Sequence, residues 1–209
     1  MDFVGSGGDP RFFNRYSYTA NDPINLIDPD GAVFRRSPVR RGAGGRVFIS
    51  PRVQTRFESA MRRNNELANQ AFGEGTPRVS PTFTGTIGNR QVNQLERSNQ
   101  VLEKHIRNQS SERMEGESGG PGEGKRFPAE GREIRESMEG IPCIFCKQPT
   151  TNRSGRPNSR ERDHSDAKSQ GGNNSARNEN QSCRTCNRSK GPLEGQTFRE
   201  RMEERFGER

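Results

Sequence analysis

Asp163-His164-Ser165-Asp166-Ala167, then Asn178-Glu179-Asn180-Gln181-Ser182-Cys183-Arg184-Thr185-Cys186-Asn187-Arg188-Ser189-Lys190-Gly191, is the text that decides how this chain is read. Upstream stands a second knuckle, Cys143-Ile144-Phe145-Cys146, so that all four cysteines fall into two Cys-x-x-Cys pairs. Two such pairs supply four thiolates to one tetrahedral ion, and the spacing predicts a structural zinc site on Cys143, Cys146, Cys183 and Cys186. The 36 residues between the pairs exceed the usual ribbon spacing, which marks an insert with a job of its own. A redox role for the first pair leaves the second unexplained and lacks the βαβ surroundings of thioredoxin-like proteins. Disulfides require an oxidising compartment, and the N-terminus carries no apolar stretch resembling a signal peptide.

The insert holds the chemistry. Hydrolysis of a phosphodiester needs a base to deprotonate water and a cation to stabilise charge on the phosphate, and an adjacent Asp and His can serve both needs. In the order Asp163-His164, Asn178, Asn187, with the Gly171-Gly172 turn and Cys-x-x-Cys-Asn-x-x-Lys-Gly at 183–191, residues 141–195 resemble the zinc-clamped HNH, or ββα-metal, endonucleases. That resemblance implies that Asp163 and Asn187 hold a catalytic divalent ion such as Mg²⁺, that His164 activates water, and that Asn178 is the catalytic-loop brace. Asn173 and Asn180 are rival candidates for the brace, but the spacing from Asn178 to Asn187 fits the family best. One departure is the polar Ser165-Asp166-Ala167 after Asp-His, where zinc-clamped relatives often carry an apolar residue and a proline.

Charge points the same way. Between Lys147 and Lys190 ten Lys or Arg face four acids, a balance of +6 that suits contact with phosphate. Arg188 and Lys190, beside the metal-ligand candidate Asn187, are expected to touch nucleic acid. DNA is the expected substrate, with RNA open. The rival reading is a zinc-dependent nucleic-acid-binding module that does not cut, or an inactive remnant, in which Asp163-His164 is an incidental surface pair.

The rest of the chain is poor in core-forming residues. Of 209 residues only 25% are apolar, Trp is absent, and there are 24 Gly and 13 Pro, so a small folded domain with loosely ordered neighbours is expected. No apolar run approaches the length of a membrane span. Residues 11–31, Arg-Phe-Phe-Asn-Arg-Tyr-Ser-Tyr-Thr-Ala-Asn-Asp-Pro-Ile-Asn-Leu-Ile-Asp-Pro-Asp-Gly, alternate aromatics with turn formers as β-hairpins do. They resemble the end of the Rhs or YD-repeat associated core, after which such proteins carry a variable C-terminal toxin. The release motif is incomplete, because Asp28-Pro29-Asp30-Gly31 is followed by Ala32, and no complete shell precedes it. The resemblance implies a bacterial toxin effector, exported without a signal peptide, acting in the cytoplasm of a target cell and neutralised in its producer by a cognate immunity protein.

The expected fold class is α+β: a β-hairpin remnant at 1–31, a flexible basic linker at 32–51, a two-helix region at 52–107, a disordered Gly-rich linker at 108–140, and a zinc-clamped ββα domain at 141–209. His105 is expected on a helix surface, and the spacing of Phe198, Met202 and Phe206 predicts a terminal helix packed on the zinc core.

Overall fold

The computed structural model describes residues 50–73, 76, 78–83 and 86–207, together with four short strands before residue 50. Strand β1 (Leu26–Ile27) pairs with β2 (Arg35–Arg36), and β3 (Val39–Arg41) with β4 (Val47–Ile49), both antiparallel. β2, β3 and β4 fall where a linker was expected, because β-branched Val39, Val47 and Ile49 favour strands despite the arginines and glycines around them. Apart from β1, the stretch 11–31 lies outside the described residues.

Helix α1 (Pro51–Phe72) begins at a proline, whose missing N–H costs nothing in the first turn, and Ser50 Oγ accepts from the Val53 amide at 3.4 Å. Next come α2 (Asn89–Ser110) and α3 (Arg132–Ser137). The antiparallel pair β5 (Arg160–His164) and β6 (Glu179–Cys183) runs straight into α4 (Arg184–Lys190), and α5 (Gly195–Phe206) closes the described chain. The class is therefore α+β, with a small two-stranded sheet at its centre.

The chain divides into two compact units, one holding the short strands and the first turns of α1, the other made of Phe57–Phe83 and Gln91–Arg209. The second carries everything that follows. Its apolar contacts come in patches rather than one large core. Leu67, Ala68, Ala71 and Phe72 of α1 meet Leu102 of α2, Met138 and Ile141, while Ala60, Leu95 and Ile134 form a neighbouring patch. A side chain such as Leu102 or Ile141, almost wholly buried, contributes about 1.5–3 kcal/mol. Phe198 of α5 meets Phe145 edge to face at 4.9 Å and Met202 joins the same cluster, but Phe206 remains 48% exposed.

Polar contacts do the rest. Every residue of β6 is buried although its text is Glu-Asn-Gln-Ser-Cys, and α2 supplies many of the partners. Arg97, Lys104 and Asn108 stand seven and four residues apart, which places them on one face of the helix. Arg97 Nη2 donates to Glu179 Oε2 (2.9 Å), Lys104 Nζ to Ser165 Oγ (2.6 Å) and Asn108 Nδ2 to Asn180 Oδ1 (3.3 Å). Burial lowers the Lys104 ammonium to about 7, against the pull of Glu179.

Two expectations are corrected here. His105 is not on a helix surface: it is buried between α2's neighbours with Nε2 3.0 Å from Gln109 Nε2, and burial lowers its imidazole to about 3, so it is neutral. Residues 108–140 are not a disordered linker within the described chain. Gly119 N donates to Gly171 O, Gly124 N to Gly172 O, and Asn173 N to Glu117 O, fastening the segment to the loop between β5 and β6. Gly119, Gly120 and Gly124 there hold positive φ, and a Cβ at Gly122 would overlap the Asn174 side chain.

Because α2 and the 111–131 segment complete the burial of β6 and bond to the loop that follows β5, residues 130–209 alone should show no cooperative thermal unfolding by circular dichroism, whereas residues 51–209 with zinc should unfold in one transition. A cooperative transition in the short fragment would contradict this packing.

Candidate functional site

The two knuckles meet. Sγ atoms of Cys143, Cys146, Cys183 and Cys186 all lie within 4.8 Å of one another, and the Cys146–Cys183 separation is 3.9 Å. Four thiolates around zinc at about 2.3 Å stand about 3.8 Å apart, so this cluster can bind a structural metal such as zinc. The fold prepares it. Lys147, at φ 62°, turns the first knuckle so that its amide donates to Cys143 O at 2.9 Å. Amides of Cys183 and Cys186 donate to the sulfurs of Cys143 (3.2 Å) and Cys183 (3.4 Å). Hydrogen bonds shared among the sulfurs hold Cys146 and Cys183 low and push Cys143 and Cys186 up, the pattern of four thiols that cannot all ionise without a cation between them.

Cys183 ends β6 and caps α4, so the four-cysteine cluster sits at the strand–helix junction that carries the remaining candidates. At the far end of β5, Asp163 and His164 face Asn180 and Glu179 in the strand register. Asp163 is 5% exposed. Its Oδ1 takes the Lys190 ammonium at 3.2 Å, while its Oδ2 is buried without a hydrogen-bond partner among the described residues. A paired carboxylate ordinarily titrates low, yet burial pushes Asp163 up to about 6, outweighing Lys190, Lys104 and the His164 backbone amide, which all pull it down. Asn187, four residues into α4, donates Nδ2 to Glu161 Oε2 at 2.7 Å, which turns its Oδ1 into the atom able to ligate.

His164 is half-buried. Its Nε2 lies 3.2 Å from the Lys125 carbonyl, an arrangement in which Nε2–H donates and Nδ1 keeps its lone pair. Burial holds the imidazole below its ordinary range and Lys168 and Lys190 act in the same direction, while the bond to Lys125 opposes them. The Phe127 ring stacks on it, centroids 3.9 Å apart and planes at 19°.

Asn178 is fully buried before β6, and it spans the loop. Its Oδ1 accepts from the amides of Asp166 (2.8 Å) and Glu117 (3.3 Å), and its Nδ2 donates to the carbonyls of Asn173 (2.8 Å) and Asp166 (3.1 Å). Of the rivals, Asn180 is spent on Ser165 and Asn108, and Asn173 on Gly119 and Ser175. The loop also needs its glycines: Gly171 has φ 86°, and a Cβ on Gly172 would overlap the Asp166 carbonyl.

Asp163, His164, Asn187 and Lys190 line one open pocket of about 460 Å³, joined by Arg126, Phe127, Arg162 and Lys168. No family model, curated protein or solved structure matches this chain. Arg188 is exposed on α4, as a phosphate contact requires, whereas Lys190, expected to touch nucleic acid, is buried on Asp163.

Several groups at the site lie outside the Asp-His and Cys-x-x-Cys motifs. Arg160, Arg162 and His164 alternate along β5 and so share one face, a period of two that could have been read. Arg97 and Lys104, seven residues apart on α2, share a helical face, but nothing in their local sequence says that β6 lies against it. Phe127 gave no signal, standing alone among Gly, Glu and Pro.

Elemental analysis should find about one zinc per chain, and Cys143→Ser or Cys186→Ser should lose it together with cooperative unfolding. Retention of a stable fold without metal in either variant would show that the cluster does not hold the strand–helix junction.

Proposed function

We propose that this chain is a metal-dependent HNH-type endonuclease with a ββα-metal site formed by β5, β6 and α4, cutting phosphodiester bonds in DNA. The observation that carries the reading is the unpartnered, buried Asp163 Oδ2, one residue from a histidine whose Nδ1 is kept as a lone-pair nitrogen. A buried carboxylate oxygen without a donor is costly unless a cation completes it. Asp163 Oδ2 and Asn187 Oδ1 are the hard oxygen donors suited to Mg²⁺. When bound, the ion supplies Lewis-acid stabilisation of charge on the scissile phosphate and its leaving oxygen.

The chain's own groups do the remaining work. His164 Nδ1 takes a proton from the attacking water, and burial keeps the imidazole neutral and ready to do so at neutral pH. Asn178 holds the loop between the strands so that Asp163 and His164 stay at its mouth. Arg188, with Arg126 and Lys168 on the pocket rim, receives the phosphate backbone; these contacts are sequence-independent and weaken with salt. Lys190 neutralises Asp163 and is drawn to phosphate once that role is taken over. The similarity of residues 11–31 to an Rhs core supports reading the protein as a bacterial toxin effector, delivered to a target-cell cytoplasm and restrained by an immunity protein. Among the described residues no helix is long and apolar enough to cross a membrane.

The Lys190–Asp163 ion pair favours one competing reading, a zinc-dependent nucleic-acid-binding module in which the ammonium permanently occupies the carboxylate. Nicking of supercoiled plasmid by the full zinc-loaded chain separates the two. The nuclease should cut with added Mg²⁺ and not without it, and His164→Ala, with zinc and fold intact, should lose about 10²–10⁴-fold in rate. Binding without cutting by the wild type, on plasmid and on RNA, would assign the module instead.

A further inference from the structure

The chain between Lys125 and Glu130 crosses β5 as a strap, and the side chains that fasten it are the three on one face of the strand. Arg160 binds the Glu130 carboxylate through Nη2–Oε2 at 2.6 Å, Arg162 Nη1 donates to Pro128 O at 2.7 Å, and His164 Nε2 meets Lys125 O at 3.2 Å. The order is antiparallel: as the strap advances, its partners step back along β5. From the loop side, Asn174 Nδ2 donates to Arg126 O at 3.1 Å. Phe127 thus sits between fixed points on both sides.

Its ring is clamped as well. One contact is the parallel stack on His164, and the guanidiniums of Arg162 and Arg97 approach the ring at 5.1 and 5.9 Å from its centroid. Those two arginines are themselves held by the buried Glu179 carboxylate, at 2.7 and 2.9 Å. Their attraction to the ring face and their fixed positions set the plane in which the ring lies. The stack transfers that plane to the imidazole.

A hydrogen bond to one ring nitrogen fixes the edge of an imidazole but leaves it free to rock about that bond; a flat neighbour at van der Waals distance removes this freedom. We propose that Phe127 is a positioning residue for His164, its ring holding the imidazole so that Nε2–H stays on the Lys125 carbonyl and Nδ1 remains the free basic nitrogen. The catalytic consequence rests on the nuclease reading above; the geometric claim does not. Misorientation of a base costs rate rather than affinity, so the effect belongs in kcat.

The test uses the full, zinc-loaded chain labelled with ¹⁵N, which has only two histidines, so that buried His105 serves as an internal control. Wild type and Phe127→Tyr, which keeps a flat ring, should show the His164 Nε2–H proton protected from solvent exchange. Phe127→Leu, which keeps apolar volume without a plane, should lose that resonance while zinc content, thermal midpoint and His105 signals stay unchanged. In plasmid nicking, Phe127→Leu should lower kcat about 10–100-fold with KM unchanged, and Phe127→Tyr should restore it. Protection that survives in Phe127→Leu, or a Phe127→Tyr protein as impaired as Phe127→Leu, overturns the proposal. If protection follows the predicted pattern but the wild type cuts neither DNA nor RNA, the positioning stands and the nuclease reading falls.

Discussion

A single carboxylate organises this molecule. Glu179, at the first position of β6, is almost wholly buried, and burial alone would raise its pKa; hydrogen bonds from Arg162 and Arg97 outweigh that and hold it below the ordinary carboxylate range. One guanidinium comes from the neighbouring strand and the other from α2, some eighty residues upstream. Neither side can be removed cheaply: stripping one partner from a buried ion pair typically costs about 3–5 kcal/mol. The consequence is that a helix, a strand pair and, through Arg162, the strap bearing Phe127 are committed to one arrangement. Gln181 extends the network, donating to Glu179 and accepting from Arg160.

The other anchor is the sulfur cluster. It lies where β6 passes into α4, whereas Asp163 and His164 lie at the opposite end of β5. Two anchors at the two ends leave the strand pair little freedom, and Asn178 removes what remains in the loop between Asp166 and Asn173. The pocket inherits this rigidity. Its imbalance is local: among the described residues Asp163 Oδ1 has the Lys190 ammonium and Oδ2 has no hydrogen-bond partner. Beside β6, whose buried polar side chains find partners, an unpaired carboxylate oxygen on β5 needs a chemical reason.

How legible this was in the sequence depends on the kind of interaction. The Cys-x-x-Cys pairs announced their convergence, because ligand spacing is written locally. The turn at Gly171-Gly172 was readable for the same reason. The α+β class followed from the two-helix region at 52–107 and the resemblance carried by residues 141–195. What escaped was the polar core. A strand spelled Glu-Asn-Gln-Ser-Cys has no apolar alternation, and only its partners, Arg97, Arg160, Arg162 and Asn108, make its burial tolerable. Composition therefore understated how much of the chain packs. The same cause misassigned His105, whose helix was read as facing water on the side that in fact faces other chain segments. The Gly-rich text at 108–140 reads as slack, although Gly119, Gly120 and Gly124 hold positive φ and the segment is bonded to the loop between β5 and β6. The place of Lys190 in the motif suggests a phosphate contact, and its ion pair with buried Asp163 is visible only in three dimensions.

The most direct test of the site is crystallographic: crystals of the zinc-loaded chain soaked in Mn²⁺, with anomalous differences collected at the manganese edge. A peak in contact with Asp163 Oδ2 and Asn187 Oδ1, accompanied by displacement of the Lys190 ammonium, is the predicted result. An ordered pocket with no peak, and Lys190 still bound to Asp163 at millimolar Mn²⁺, would contradict the assignment of a catalytic cation site to this strand–helix unit.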